Sequence, residues 1–231
     1  MPVALITGAS RGLGLALARE LSSQGWHLIL DARGEDLLRA ATASLARVTA
    51  IAGDVTDPGH LDALASEVRA HGRLDLLVNN ASTLGGSPLP SLAEFGPVAF
   101  TRLLAVNVAA PLALTQAVLA ELRAAAGMVV NVSSDAAIEA YEGWGGYGAS
   151  KAALDHLSAV WAREEPTVRF LSFDPGDMRT QMHQEAFPDE DISDRPDPET
   201  VVPALLYLLA SSAPSGRYKG SDLLVALSSA L

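Results

Sequence analysis

The sequence predicts an α/β protein: one doubly wound, Rossmann-type, seven-stranded parallel sheet flanked by helices, in a single domain spanning residues 1–231. Three observations predict it. Seven short, almost continuously apolar runs recur along the chain, as parallel strands buried on both faces require. The stretches between them carry helical periodicity and helix-start residues. The first apolar run leads straight into a glycine-rich turn and then into a helical pattern.

Taken in order, "PVALIT" (2–7) is the first strand, and the helical pattern after it runs from Leu13 to Leu21. The same strand pattern returns in "WHLIL" (26–30), "RVTAIAG" (47–53), "LDLLVNN" (74–80), "GMVVNVSS" (127–134), "TVRFLSF" (167–173) and "DLLVAL" (222–227). Asp57 followed by Pro58 starts a helix over "GHLDALASEVRAHG", with the acidic cap before the proline at the first helical position. "LLAVNVAAPLALTQAVL" reads as one long apolar helix interrupted by Pro111. "FPDEDISDRPDPET" (187–200), proline-rich and acidic, is an exposed loop before the last helix.

Composition narrows the function. A formal charge of -11 offers no basic footprint for nucleic acid or an anionic membrane. The absence of cysteine excludes disulfides and thiolate metal sites, and the five histidines show no zinc-ligand spacing, so no metal is expected. "MPVALITG" is too short and uncharged for a signal peptide, and no apolar run reaches bilayer-spanning length, so a cytoplasmic location is expected.

In a doubly wound sheet the ligand crevice lies at the carboxyl ends of the strands. After the first strand comes "TGASRGLG", whose Gly8, Gly12 and Gly14 let the backbone turn tightly and present helix amides to a pyrophosphate. Pro111 has no N–H, so the carbonyl of Asn107, four residues earlier, loses its helical partner. Tyr147 and Lys151 stand four apart at a helix start and therefore share one face. Such a pair is packing or chemistry. A cation near a phenol favours the phenolate, which turns tyrosine, with its ordinary pKa near ~10, into a usable acid/base.

Together these segments resemble the short-chain dehydrogenase/reductase family, from the first strand to near the C-terminus. The family's T-G-x-x-x-G-x-G turn is matched by Thr7, Gly8, Gly12 and Gly14, with Ser10, Arg11 and Leu13 inside it. Its acidic adenine contact after the third strand is matched by Asp54, followed by Val55. Its N-N-A-G appears as "NNAS", Asn79 to Ser82, with serine in place of glycine, and the resemblance implies that Asn80 and Ala81 face the cofactor. The resemblance implies catalytic roles for Asn107, whose main chain would hold a relay water, for Ser134, 13 residues before the tyrosine, and for Tyr147 and Lys151. It also implies that Lys151 holds the nicotinamide ribose. Pro175, Gly176, Met178 and Thr180 stand where the family's P-G-x-x-x-T meets the nicotinamide.

The activity so implied is NAD(P)(H)-dependent interconversion of a carbonyl compound and an alcohol. A non-catalytic dinucleotide-sensing or scaffold protein on the same fold is the alternative, and a nucleotide-sugar epimerase or dehydratase a further one. In "LILDARG" the usual acidic ribose contact is Ala32, with Asp31 one residue early and Arg33 one late. Arg33 with Arg11 suits a 2'-phosphate, so NADP is expected, with NAD second. Residues 82–90, 135–146 and 181–194 should wall the substrate site, with Tyr141, Trp144, Met182, His183 and Phe187 lining it. The resemblance further implies a homodimer or homotetramer built on the helix from Tyr147 and the helix around Leu112 to Leu122, with Trp161 on that face.

Overall fold

The computed structural model describes residues 1–229. Seven strands form one parallel sheet: β1 (Val3–Ile6), β2 (His27–Ala32), β3 (Val48–Ala52), β4 (Leu76–Asn79), β5 (Met128–Val132), β6 (Arg169–Asp174) and β7 (Gly216–Lys219). Their order is β3-β2-β1-β4-β5-β6-β7, so the winding reverses between β1 and β4. The apolar strands are continuous because both faces are covered. Ala4, Ile6, Leu28 and Leu30 pack into one layer with α1 (Gly12–Ser23) and α9 (Val202–Ala210), while Val3, Leu5 and Ile29 pack into the other with α3 (Pro58–His71).

Capping follows the sequence at α3. Asp57 accepts a hydrogen bond from the Gly59 amide at 2.9 Å, Pro58 takes the first turn, and Gly72 closes the helix in the left-handed conformation. The long central helix is not continuous. α4 (Pro97–Leu104) passes through a π turn at Ala105–Ala109 into α5 (Ala110–Ala117), and Val118 interrupts the helix before α6 (Leu119–Ala125). The π turn sits where Pro111 cannot donate to Asn107, and the Ala110 amide reaches back five residues to Ala105. Pro97–Ala117, 21 residues containing an 18-residue window of mean hydropathy 1.6, meets the length and composition of a bilayer span, contrary to the expectation that no run does. It packs instead on α3 and on α7 (Gly145–Glu164).

The C-terminus corrects the seventh strand. Residues 222–227 lie in α10 (Gly220–Ser229), and β7 is the preceding "GRYK". A six-residue apolar run has no decisive period, and Asp222 in the first turn favours a helix. β7 was hidden because it is a sheet edge with polar residues, paired only to β6.

Candidate active site

A cleft of about 1660 Å³ opens at the carboxyl ends of the strands, beside the β1–β4 reversal. Its floor is the glycine turn. Gly8 has φ +66°, and a Cβ on Gly8 or Gly14 would fall 2.9 or 2.6 Å from the Asn80 amide nitrogen. That nitrogen donates to the Thr7 and Gly8 carbonyls at 2.8 and 3.1 Å. Thr7 Oγ1 in turn accepts from the amides of Asn80 and Ala81, both at 3.0 Å. Glycine is therefore required for β1 and β4 to be stitched together under the cleft.

α1 begins at Gly12 with neither a side-chain cap nor an acidic residue in its first turn, leaving its amides and positive dipole end to the cleft. This arrangement fits a pyrophosphate. Ser10, Arg11, Leu13, Arg33, Asp54, Val55, Ala81, Pro175, Gly176, Met178 and Thr180 line the same cleft. Asp54 Oδ1 accepts from the Thr56 amide and hydroxyl at 2.8 and 2.7 Å, which fixes it and holds its carboxyl below the usual range. Arg33 is exposed on the rim, whereas the Arg11 guanidinium is engaged by Gln181 of α8 (Gln181–Ala186). Asp31, buried at the cleft edge, has its carboxylate engaged by the protein, with Oδ2 accepting from the Gly8 amide at 3.4 Å. Its Oδ1 lies 2.6 Å from His60 Nε2, and its main-chain oxygen accepts from the Ala9 amide at 2.8 Å.

Ser134, at the end of β5, and Tyr147 and Lys151, on the first turns of α7, meet on the far wall. Tyr147 is buried, and Lys151 is buried beneath it with Nζ 5.5 Å from the phenol ring centroid. The expected depression of the phenol by Lys151 is not found in this state. Burial pushes Tyr147 up, the carboxylates of Asp174 and Asp135 add to this, and the hydroxyls of Ser82 and Ser134 oppose it. Lys151 donates to the Val132 carbonyl at 2.7 Å, and burial lowers its ammonium to about 8. Ser134 Oγ donates to Asp135 Oδ1 at 3.0 Å.

Asn107 lies behind the wall, as do Thr7 and Gly14. Its side chain is a buried staple: Oδ1 accepts from the Thr83 amide at 2.9 Å, and Nδ2 donates to Thr83 O and Ser150 Oγ at 2.9 and 3.0 Å. It thereby joins the loop after β4 to α7. Of the proposed substrate walls, Trp144, Met182 and His183 line the cleft, and Phe187 backs Trp144 with ring centroids 5.9 Å apart. Tyr141 is 46% exposed and hydrogen-bonds Asp135 outside the apolar wall.

One participant was invisible in the sequence. Arg217 of β7 donates to the Ser134 carbonyl at 2.8 Å, to Asp174 Oδ2 at 3.1 Å and to Asp155 Oδ2 at 3.1 Å. One guanidinium thus ties the serine turn, the loop holding Pro175 and Gly176, and α7. Asp174 beside Pro175 was the only available hint.

The family model for short chain dehydrogenase matches residues 2–191. Sepiapterin reductase of Mus musculus is 37% identical over 199 residues, covering 79% of this chain and 76% of that protein. Benzil reductase ((S)-benzoin forming) of Saccharomyces cerevisiae is 36% identical over 200 residues, covering 79% and 74%. Among solved structures, a short chain dehydrogenase from Escherichia coli CFT073 complexed with NADPH superposes with a TM-score of 0.88 at 29% identity, covering 95% of this chain and 96% of that one. With the motifs in order, the sheet reversing beside them and relatives of this identity, the chain belongs to the short chain dehydrogenase family of oxidoreductases acting on carbonyl and alcohol groups.

Proposed function

We propose that the protein is an NADP(H)-dependent reductase of ketones or aldehydes, with Tyr147 as the acid/base. The observation that carries this is the meeting of Ser134, Tyr147 and Lys151 on one wall of a cleft whose floor is the glycine turn. A nicotinamide supplies the hydride when bound. The amides at the start of α1 and the Arg33 guanidinium would hold its phosphates, and Thr180 and Lys151 would hold the nicotinamide end. Ser134 hydrogen-bonds the substrate oxygen and steadies the charge that gathers there. Tyr147 gives that oxygen its proton in reduction and takes it back in oxidation. Lys151, with Nζ 5.5 Å from the phenol ring centroid, is a cation placed to offset the phenolate as it forms, against the burial that raises the phenol at rest. Asn107 holds the loop after β4 against α7, and its carbonyl, facing Pro111, is the anchor for a relay water. Trp144, Met182 and His183 favour a substrate with a flat apolar group beside the carbonyl. Residues 181–200 form the substrate segment.

The test is NADPH oxidation with benzil, sepiapterin and simple aryl ketones. Tyr147→Phe is expected to cut turnover by about 10²–10⁴-fold with NADPH still bound. Arg33→Ala is expected to lower the NADPH-over-NADH preference in dissociation constants roughly tenfold or more, the worth of a charge-assisted contact. Wild-type turnover by the phenylalanine variant, or an unchanged cofactor ratio, overturns the corresponding assignment.

A further inference from the structure

At the end of the sheet opposite the cleft, His27 opens β2 and Glu67 and His71 close α3. One ligand atom from each lies within 4.8 Å of the other two. Helical spacing puts Glu67 and His71 on one face, with His71 Nε2 3.5 Å from Glu67 Oε1. Packing of the strand on the helix brings the His27 and His71 rings to 4.1 Å between centroids. The Nε2 atoms of both rings are buried without a hydrogen-bond partner among the described residues. Two buried nitrogens without a hydrogen bond, only His71 Nε2 being within ion-pair reach of Glu67, require an explanation, and an ion or a water would supply it.

We propose that His27, Glu67 and His71 bind one divalent transition-metal ion through two imidazole nitrogens and one carboxylate oxygen, with water completing the shell. Nitrogen and carboxylate ligands are the set that such ions prefer. Bonds of about 2.0–2.2 Å place tetrahedral ligand atoms about 3.4 Å apart. The His71–Glu67 pair already meets that spacing, and rotation of the partly exposed His27 ring brings in the third ligand. Thr49 Oγ1 donates to Glu67 Oε1 at 2.9 Å and orients the carboxylate. The Arg47 guanidinium is near enough to His27 to repel a cation and so limits the affinity. Bound there, the ion clips the start of β2 to the end of α3, remote from the cleft. The proposal is independent of the enzymatic reading.

Untagged, chelator-treated protein is titrated with Zn²⁺ by calorimetry, with Co²⁺ absorbance reporting the ligand geometry. One ion per chain is expected, with a Tm rise of about 5 °C at hundredfold excess over the dissociation constant. His27→Ala and His71→Ala should each weaken binding about tenfold or more, Arg47→Gln should tighten it, and His156→Ala, on the exposed side of α7, should leave it unchanged. Circular dichroism checks each variant. If the histidine variants do not fold, Glu67→Gln, which keeps shape and the Thr49 contact, decides. No saturable one-to-one binding, or binding indifferent to these substitutions, overturns the proposal.

Discussion

Lys151 carries a cost that its position explains. The side chain is 2% exposed, its ammonium has one carbonyl partner, and burial lowers it to about 8 against an ordinary 10.5, with only Asp155 opposing. A group with a lowered cationic pKa binds fewer protons folded than unfolded, so stability should rise as pH climbs from about 8 to 10.5. Below that window the buried charge costs up to about 3 kcal/mol. Lys151→Met is therefore expected to be inactive yet to melt no lower than wild type at pH 7. The wild type should gain on it through the window. Thermal melts of both proteins from pH 7 to pH 10 check this, and a wild-type advantage that is already full at pH 7 contradicts it.

At the level of elements, β7 matters more than its four residues suggest. Arg217 neutralises Asp174 and Asp155, whose side chains are 5% and 16% exposed, while it holds the Ser134 carbonyl. Removing one partner of such a cluster leaves buried carboxylates unpaired, at a cost of about 3–5 kcal/mol. Asp174 also raises Tyr147, so its uncompensated charge would raise it further, alongside Asp135, with Lys151 and the Ser82 and Ser134 hydroxyls unchanged around the phenol. Arg217→Gln should lower kcat more than it alters KM and move the rising limb of the alcohol-oxidation pH profile to higher pH, with partial rescue in Arg217→Lys. An unshifted profile in a folded variant would limit Arg217 to stability. The π turn at Ala105–Ala109 is the second element-level feature. Its proline was readable in the sequence, whereas the role of the Asn107 side chain as a staple depends on two distant segments.

Across the whole molecule, α7 leaves apolar surface uncovered at Val160, which is 38% exposed. The expected subunit face, the helix from Tyr147 and the helix around Leu112 to Leu122, corresponds to α7 and to α5 with the start of α6, and Trp161, expected on it, instead stacks inward on Phe170 with ring centroids 5.7 Å apart. Light scattering is expected to give two or four times the 24.0 kDa chain mass, and Val160→Arg to lower it toward the monomer. A wild-type monomer at micromolar concentration would remove the assembly.

The chain's own order determined six of the seven strands, the glycine turn and the Tyr147–Lys151 spacing, while Ser134 followed only from the family's spacing to that tyrosine. Buried parallel strands are uniformly apolar and short turns demand glycine at fixed offsets, so these features are local in sequence. The structure alone decided the rest. β7 and α10 exchange places with the expected strand because edge pairing and a six-residue apolar run carry no decisive period. The capture of Asp31 by His60, the Arg217 cluster and the meeting of His27 with Glu67 and His71 join residues separated by up to 83 positions. Contacts of that range are set by how helices cross the sheet, and that packing leaves no local pattern in the chain.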